Sequence, residues 1–134
     1  MTSPIAERSG CVRVLVVEDD VDNATVLSRL LVSHGYEAQT CTYAKDALAT
    51  IEQWRPDAIL LDLGMPGIGG CEIARELNET GDLRPALLIA CTGRGEPSDR
   101  EQTAKLGFDH HFVKPVNWHE LDAVLRTLKR TQPA

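Results

Sequence analysis

Val12-Arg13-Val14-Leu15-Val16-Val17, followed at once by Glu18-Asp19-Asp20, is the stretch on which the fold turns. The run is too short for a helix and too continuously apolar for a strand with one wet face. It reads as a strand buried on both sides, which is the habit of parallel sheets covered by helices. The three acids behind it mark the carboxyl end of that strand as a place where charge collects.

Further along the chain, short apolar runs recur at residues 37–41, 58–61, 86–90 and 111–113. Helical periodicity fills the intervals. It shows as Ala24, Leu27, Leu30 and Leu31 in residues 22–34, and as Ala47, Leu48 and Ile51 in residues 44–54. Ile73, Ala74 and Leu77 mark a third helix, and a fourth covers roughly residues 98–106. A fifth spans residues 118–129 with Leu121, Val124, Leu125 and Leu128. His34-Gly35-Tyr36 and Leu106-Gly107-Phe108 each place Gly just past a helix with an aromatic behind it, the Schellman pattern. Asn117 with Glu120 reads as a capping box. Pro56 and Pro85 each break the element before a strand. The expected class is α/β, a five-stranded parallel sheet doubly wound as (βα)5 with right-handed crossovers.

A chain of 134 residues fits one domain. Residues 1–10 read as a flexible leader, 11–130 as the domain and 131–134 as a tail. Hydrophobic residues at 43% against 25% charged give an ordinary globular balance, and 4% aromatics leave the core to Val, Leu, Ile and Ala. A net charge of −6 with dispersed basic residues argues against a nucleic-acid surface. No basic segment leads into an apolar one at the N-terminus, and no run approaches a membrane span. The expectation is a soluble, cytoplasmic protein without nucleic-acid or membrane partners. Cys11, Cys41, Cys71 and Cys91 form no CxxC pair and stand at no metal-ligand spacing from a histidine. They read as reduced thiols packing as small hydrophobes.

In such sheets ligands gather where the strands end. After the first strand come Glu18, Asp19 and Asp20, after the third Asp62, after the fourth Thr92, and after the fifth Lys114-Pro115. The second is followed by Thr42, without charge. Carboxylates converging on one place repel unless a cation intervenes. Hard oxygen donors suit Mg²⁺ (or Mn²⁺), which keeps several waters and uses one or two carboxylates with a phosphate oxygen. Thr92 can donate to a phosphoryl oxygen, Lys114 can neutralise another, and Asp62 is left as the nucleophile. Taken singly, each residue has a structural role as alternative. Asp20 or Asp22 can cap the first helix, and a lone Thr or Lys is commonly structural.

Four stretches, VRVLVVEDD, PDAILLDLGMPGIGG, LLIACTGRG and GFDHHFVKPV, stand in order at these strand ends. Together they resemble the receiver domain of bacterial response regulators and hybrid sensor histidine kinases, over residues 11–130. The resemblance implies a flavodoxin-like receiver fold and a phosphorelay role, with Asp62 taking a phosphoryl group as an aspartyl phosphate. It implies a metal site of Glu18, Asp19, Asp62 and the Gly64 carbonyl, with Asp20 secondary. It implies that Thr92 swings toward the phosphoryl group, that Lys114 pairs with it, and that the Lys114-Pro115 peptide is cis. The donor would be the phosphohistidine of a sensor histidine kinase or histidine phosphotransfer protein, and an unidentified downstream protein would read the result. Such a domain is not a conventional enzyme, although it assists its own phosphorylation and dephosphorylation.

Two positions depart from the pattern. His111 stands where the family often has a rotating Tyr or Phe, so it is either a switch partner of Thr92 or a surface histidine. Gly64 offers no side chain where the family tunes phosphoryl loss, which leaves that lifetime to Arg94 and to partners. Trp118 is either a partner contact or half-buried packing. Other readings weigh less. A haloacid-dehalogenase-like phosphohydrolase would need an acid at position 64, and a nucleotide-binding module would need a GxxxxGK[ST] or GxGxxG loop. A phosphorylation-independent adaptor of the same fold would not need Asp62, Thr92 and Lys114 together. The GFDHHFVKPV stretch resembles receivers at the ends of hybrid kinases, so the segment is expected to be a stand-alone receiver or part of such a kinase.

Overall fold

The computed structural model describes residues 11–64, 70–93 and 100–129. Five strands form one sheet: β1 (Arg13–Val17), β2 (Glu37–Cys41), β3 (Ala58–Asp62), β4 (Leu87–Thr92) and β5 (His110–Val113). All pairings are parallel and the order is β2-β1-β3-β4-β5. The helices are α1 (Val21–Ser33), α2 (Ala47–Trp54), α3 (Gly70–Thr80), α4 (Arg100–Lys105) and α5 (Trp118–Lys129). The doubly wound (βα)5 architecture expected from the sequence is therefore the one observed.

Alternation along the strands sorts the core into two layers. Leu15, Val17, Ile59, Leu61, Leu88 and Ala90 face one side, where they meet Ala47 and Ile51 of α2 and Ile73, Ala74 and Leu77 of α3. Val14, Val16, Ala58, Leu60, Ile89 and Cys91 face the other, against Ala24 and Leu31 of α1 and Leu121 and Leu125 of α5. β3 is buried at all five positions, since it lies between β1 and β4 with helices above and below. Each fully buried Leu or Ile there contributes about 1.5–3 kcal/mol.

The ends follow the local signals. Tyr36 N–H donates to Leu31 O at 3.0 Å and Gly35 N–H to Val32 O at 3.1 Å, while Phe108 and Gly107 repeat this on Thr103 and Ala104. Gly35 and Gly107 both sit at φ 92°, where only Gly is free of a Cβ penalty. Asp20, not Asp22, caps α1, its Oδ1 accepting from Asn23 N–H at 3.1 Å. Asn117 Oδ1 accepts from Glu120 N–H at 3.1 Å at the start of α5.

Several boundaries differ from the sequence reading. Residues 44–54 are not one helix, because a 3-10 turn at Ala44–Asp46 precedes α2. β4 runs to Thr92 rather than stopping at residue 90, since β3 and β5 pair with it on both sides up to Asp62↔Cys91 and Thr92↔Val113. Asp62 and Thr92 are thus the last residues of their strands and not the first after them. α1 and β5 each begin one residue early, and α4 is described over Arg100–Lys105. The leader at residues 1–10, Arg94, Ser98, Arg130 and the tail at 131–134 lie outside the described residues.

Candidate functional site

The strand order decides the site. β1 and β3 are neighbours, so the carboxyl end of one delivers Glu18, Asp19 and Asp20 beside the carboxyl end of the other, which delivers Asp62. Glu18 and Asp62 are buried, at 6% and 5% exposure, while Asp19 is exposed. One carboxylate oxygen from each of Glu18, Asp19 and Asp62 falls within 4.8 Å of the others. Lys114 directly follows β5 and precedes a cis bond to Pro115, its backbone N–H donating to Thr92 O at 2.7 Å. Its Nζ lies 2.6 Å from Glu18 Oε1 and 2.9 Å from Asp62 Oδ2. Asp62 Oδ1 accepts from Gly64 N–H at 2.9 Å, and Glu18 Oε2 accepts from Asp20 N–H at 3.2 Å.

The electrostatics follow from two buried carboxylates and one ammonium. Burial, and then the adjoining Asp62 carboxylate, push Glu18 up to about 7 despite Lys114. Burial alone would also raise Asp62. The hydrogen bonds from a protonated Glu18, from Lys114 and from Gly64 N–H outweigh it and hold Asp62 below its ordinary range. Burial opposes the charge on Lys114, but its two carboxylate partners prevail and raise it. At neutral pH, therefore, Asp62 is an ionised carboxylate with one oxygen on an ammonium and the other on a backbone N–H.

The donor set fits a hard divalent cation. Three carboxylate oxygens lie within reach of one ion, and a cation there would take the place of the proton that burial, and then Asp62, favour on Glu18 up to about pH 7. A cavity of about 510 Å³ opens beside them, lined by Glu18, Asp62, Gly93 and Lys114 at its polar end. Val26 and Leu27 of α1 line its apolar flank. Cys91 also borders it, but burial pushes its thiol up to about 12, which makes it an inert packing group.

Thr92 ends the neighbouring strand β4. Its Oγ1 is 2.9 Å from His111 Nε2, and His111 Nδ1 is 3.4 Å from Thr103 Oγ1 on α4. All three side chains are buried, which removes the reading of His111 as a surface histidine. Trp118 is half-buried against the His34 ring at 4.6 Å and edge-on to Tyr36 at 6.4 Å, so packing is its role here. Sequence reasoning does not single out Thr103. A lone hydroxyl on a short helix carries no signal until a buried ring is seen to face it.

Strand order and acidic pocket together define a class, the flavodoxin-like α/β proteins of the receiver kind. The sequence model for the response regulator receiver domain matches residues 14–126. The chain belongs to the response regulator receiver domain family. It is 39% identical over 123 residues to the response regulator MprA of Mycolicibacterium vanbaalenii, covering 91% of this chain and 52% of that protein. The chain thus spans about half the length of the curated relatives it matches. Its fold is similar to the signal receiver domain of a DNA-binding response regulator from Colwellia psychrerythraea. That match has a TM-score of 0.81 and 25% identity and covers 90% of this chain and 99% of that one. It is also similar to a CheY-like receiver domain protein from Methanospirillum hungatei, with a TM-score of 0.78 and 26% identity over 90% and 94% of the two chains. No helix among the described residues is long and apolar enough to cross a membrane.

Proposed function

We propose that this domain accepts a phosphoryl group on Asp62 from the phosphohistidine of a sensor histidine kinase or histidine phosphotransfer protein, and that a downstream protein reads the change. The observation that carries the reading is the Asp62 carboxylate itself, ionised, with Lys114 Nζ at 2.9 Å and two further acids beside it. A carboxylate oxygen attacks phosphorus in line as the phosphorus–nitrogen bond breaks. The departing imidazole takes a proton from solvent, and Asp62 is left as a mixed anhydride. Such transfers depend on placement and charge neutralisation more than on covalent help.

Glu18, Asp19, Asp62 and the Gly64 carbonyl would hold Mg²⁺ or Mn²⁺, which when bound supplies the positive charge that phosphoryl oxygens need. Lys114 neutralises a phosphoryl oxygen by exchanging part of its bond to Asp62 for one to the transferred group. Gly64 N–H keeps the carboxylate plane oriented during attack. Thr92 turns its hydroxyl to a phosphoryl oxygen, and its movement together with His111 repacks the β4–α4–β5 surface. The domain promotes its own modification and its loss without being a conventional enzyme, and we place it in the cytoplasm with its kinase. The DNA binding named for the Colwellia regulator is not carried onto this segment, whose net charge of −6 disfavours it.

The test is incubation with a small phosphodonor and Mg²⁺, read by intact mass. A gain of one phosphoryl group that vanishes in Asp62→Asn and under chelation is expected. A gain that persists in Asp62→Asn, or none with any donor, refutes the proposal.

A further inference from the structure

The side of α1 that faces the cavity changes character at one end. Asn23, Val26, Leu27 and Leu30 line the cavity at helical spacing, so one stripe of the helix is turned toward it. α1 follows β1 directly and starts at the carboxyl edge of the sheet. The apolar members of the stripe therefore lie deeper, and Asn23, in the first turn, stands level with the ends of β1 and β3. Lys114, Pro115 and Val116 form a second wall, and Glu18 and Asp62 close the polar end. Asn23 N–H donates to Asp20 Oδ1 at 3.1 Å and Asp20 N–H to Glu18 Oε2 at 3.2 Å, which ties the first turn to the acids. Of the polar side chains that border the cavity, Glu18 and Asp62 are both engaged with the Lys114 ammonium. The Asn23 carboxamide is exposed and is hydrogen-bonded to none of the described residues.

A phosphoryl group on Asp62 is lost when water attacks phosphorus from the side opposite the Asp62 oxygen, and such a step is fast only if that water is held in line. A carboxamide suits the task. Its carbonyl oxygen accepts a hydrogen bond without carrying the negative charge that would repel phosphoryl oxygens. Gly64 brings no side chain to the site, and Val26, Leu27 and Leu30 offer water no partner. We propose that Asn23 is a water-positioning residue for hydrolysis of the aspartyl phosphate. Its carbonyl oxygen accepts a hydrogen bond from the attacking water and leaves a lone pair of that water facing phosphorus. As the new oxygen–phosphorus bond forms, the bond from phosphorus to the Asp62 oxygen breaks. Asp62 returns as a carboxylate, inorganic phosphate leaves, and the proton shed by the water passes to solvent. Asn23 takes up no proton. The inference rests on Asp62 being the phosphoacceptor.

The test labels the full chain with a small phosphodonor and Mg²⁺, removes the donor, and follows uptake and loss of the phosphoryl mass. Wild type is compared with Asn23→Ala, which deletes the carboxamide, and Asn23→Leu, which keeps its branched shape without polar atoms. Position 23 is exposed, so neither change empties the core. In both variants the ratio of the loss rate to the uptake rate is expected to fall about three- to tenfold, the factor carried by one hydrogen bond. A merely structural role, acting through the start of α1 or the acids, slows uptake and loss together and leaves the ratio unmoved, which overturns the proposal. Faster loss in Asn23→Ala with wild-type loss in Asn23→Leu also overturns it, since that order means the side chain only blocks water. With wild type in H₂¹⁸O, the heavy oxygen should leave in inorganic phosphate, as attack on phosphorus requires, and its appearance in Asp62 refutes the step. Wild type that takes up no phosphoryl group overturns the Asp62 reading along with it, whereas labelled wild type with an unmoved ratio in both variants overturns this inference alone.

Discussion

Glu18 makes the metal-free protein lose stability as pH rises toward neutrality. The carboxyl has an ordinary value of 4.5 and is held at about 7 in the folded state, through burial and then through the neighbouring Asp62. Between those two values the folded protein binds more protons than the unfolded chain, so stability falls with rising pH and levels off above about 7. Asp62 is shifted the other way. Its contribution is lost only as pH falls through a value below its ordinary 3.8, outside this window. The Glu18 displacement corresponds to about 3 kcal/mol, given that a tenfold change in proton affinity is about 1.4 kcal/mol. Glu18→Gln supplies the comparison. Its amide can still accept from Lys114 and donate to Asp62, as the protonated carboxyl does, but it does not ionise. With EDTA present, urea midpoints of the two proteins should coincide near pH 4.5 and separate as pH rises. Above pH 7 the variant should be the more stable by about 1–2 M urea, for an m-value of about 2 kcal/mol per M. Ionisable groups remote from position 18 are common to both proteins and cancel in the difference. Parallel curves from pH 4.5 to 8, or wild type gaining on the variant as pH rises, would refute the electrostatic account.

Mg²⁺ should reverse this penalty, raising stability at pH 7.5 by about 2.7 kcal/mol at a hundredfold excess over its dissociation constant. Asp19→Asn, at an exposed position, should fold as wild type does but need more Mg²⁺ for the same gain, and an unchanged titration would remove Asp19 from the metal site. Lys114→Met should abolish labelling of Asp62 and, without metal, destabilise the fold by about 3–5 kcal/mol, because two buried carboxylates lose their shared ammonium. Most of that loss should persist at pH 5, where Asp62 is still ionised without its ammonium, and urea denaturation at the two pH values reads it. Gly107→Ala should cost about 2–4 kcal/mol, since its φ is 92° and a Cβ would lie 2.2 Å from Asn78 Nδ2, which holds Ala74 O and Leu106 O. Gly81→Ala, at φ 70° with nothing within 4 Å of its Cβ, should cost about 1–2 kcal/mol, the backbone part alone. Equal losses would refute the steric account.

Much of the architecture is legible in the residues alone. The β-branched run at residues 12–17, the Gly-aromatic pairs at 35–36 and 107–108 and the Asn117 cap are local signals, and each holds in the structure. Boundaries that depend on partners are not written locally. β4 reaches Thr92 because β3 and β5 hold it on both sides, and no property of residues 91–92 announces that. The left-handed Arg55 that ends α2 is a similar case. Its φ of 54° is held with its guanidinium on Glu52 O and Asp82 O, and the second of these partners lies far along the chain.

Local periodicity and residue type suffice for the alternation of strands and helices, the buried face of each, and the roster of acids, hydroxyl and amine at strand ends. Which of those ends are neighbours is a matter of three-dimensional packing. The order β2-β1-β3-β4-β5 sets Glu18 against Asp62, brings Lys114 across to both, and closes Thr92, His111 and Thr103 into one buried chain of hydrogen bonds. Periodicity reports that a face is covered but not by what, because the covering element is chosen by long-range pairing and packing. The ionisation of Glu18 is set by those neighbours.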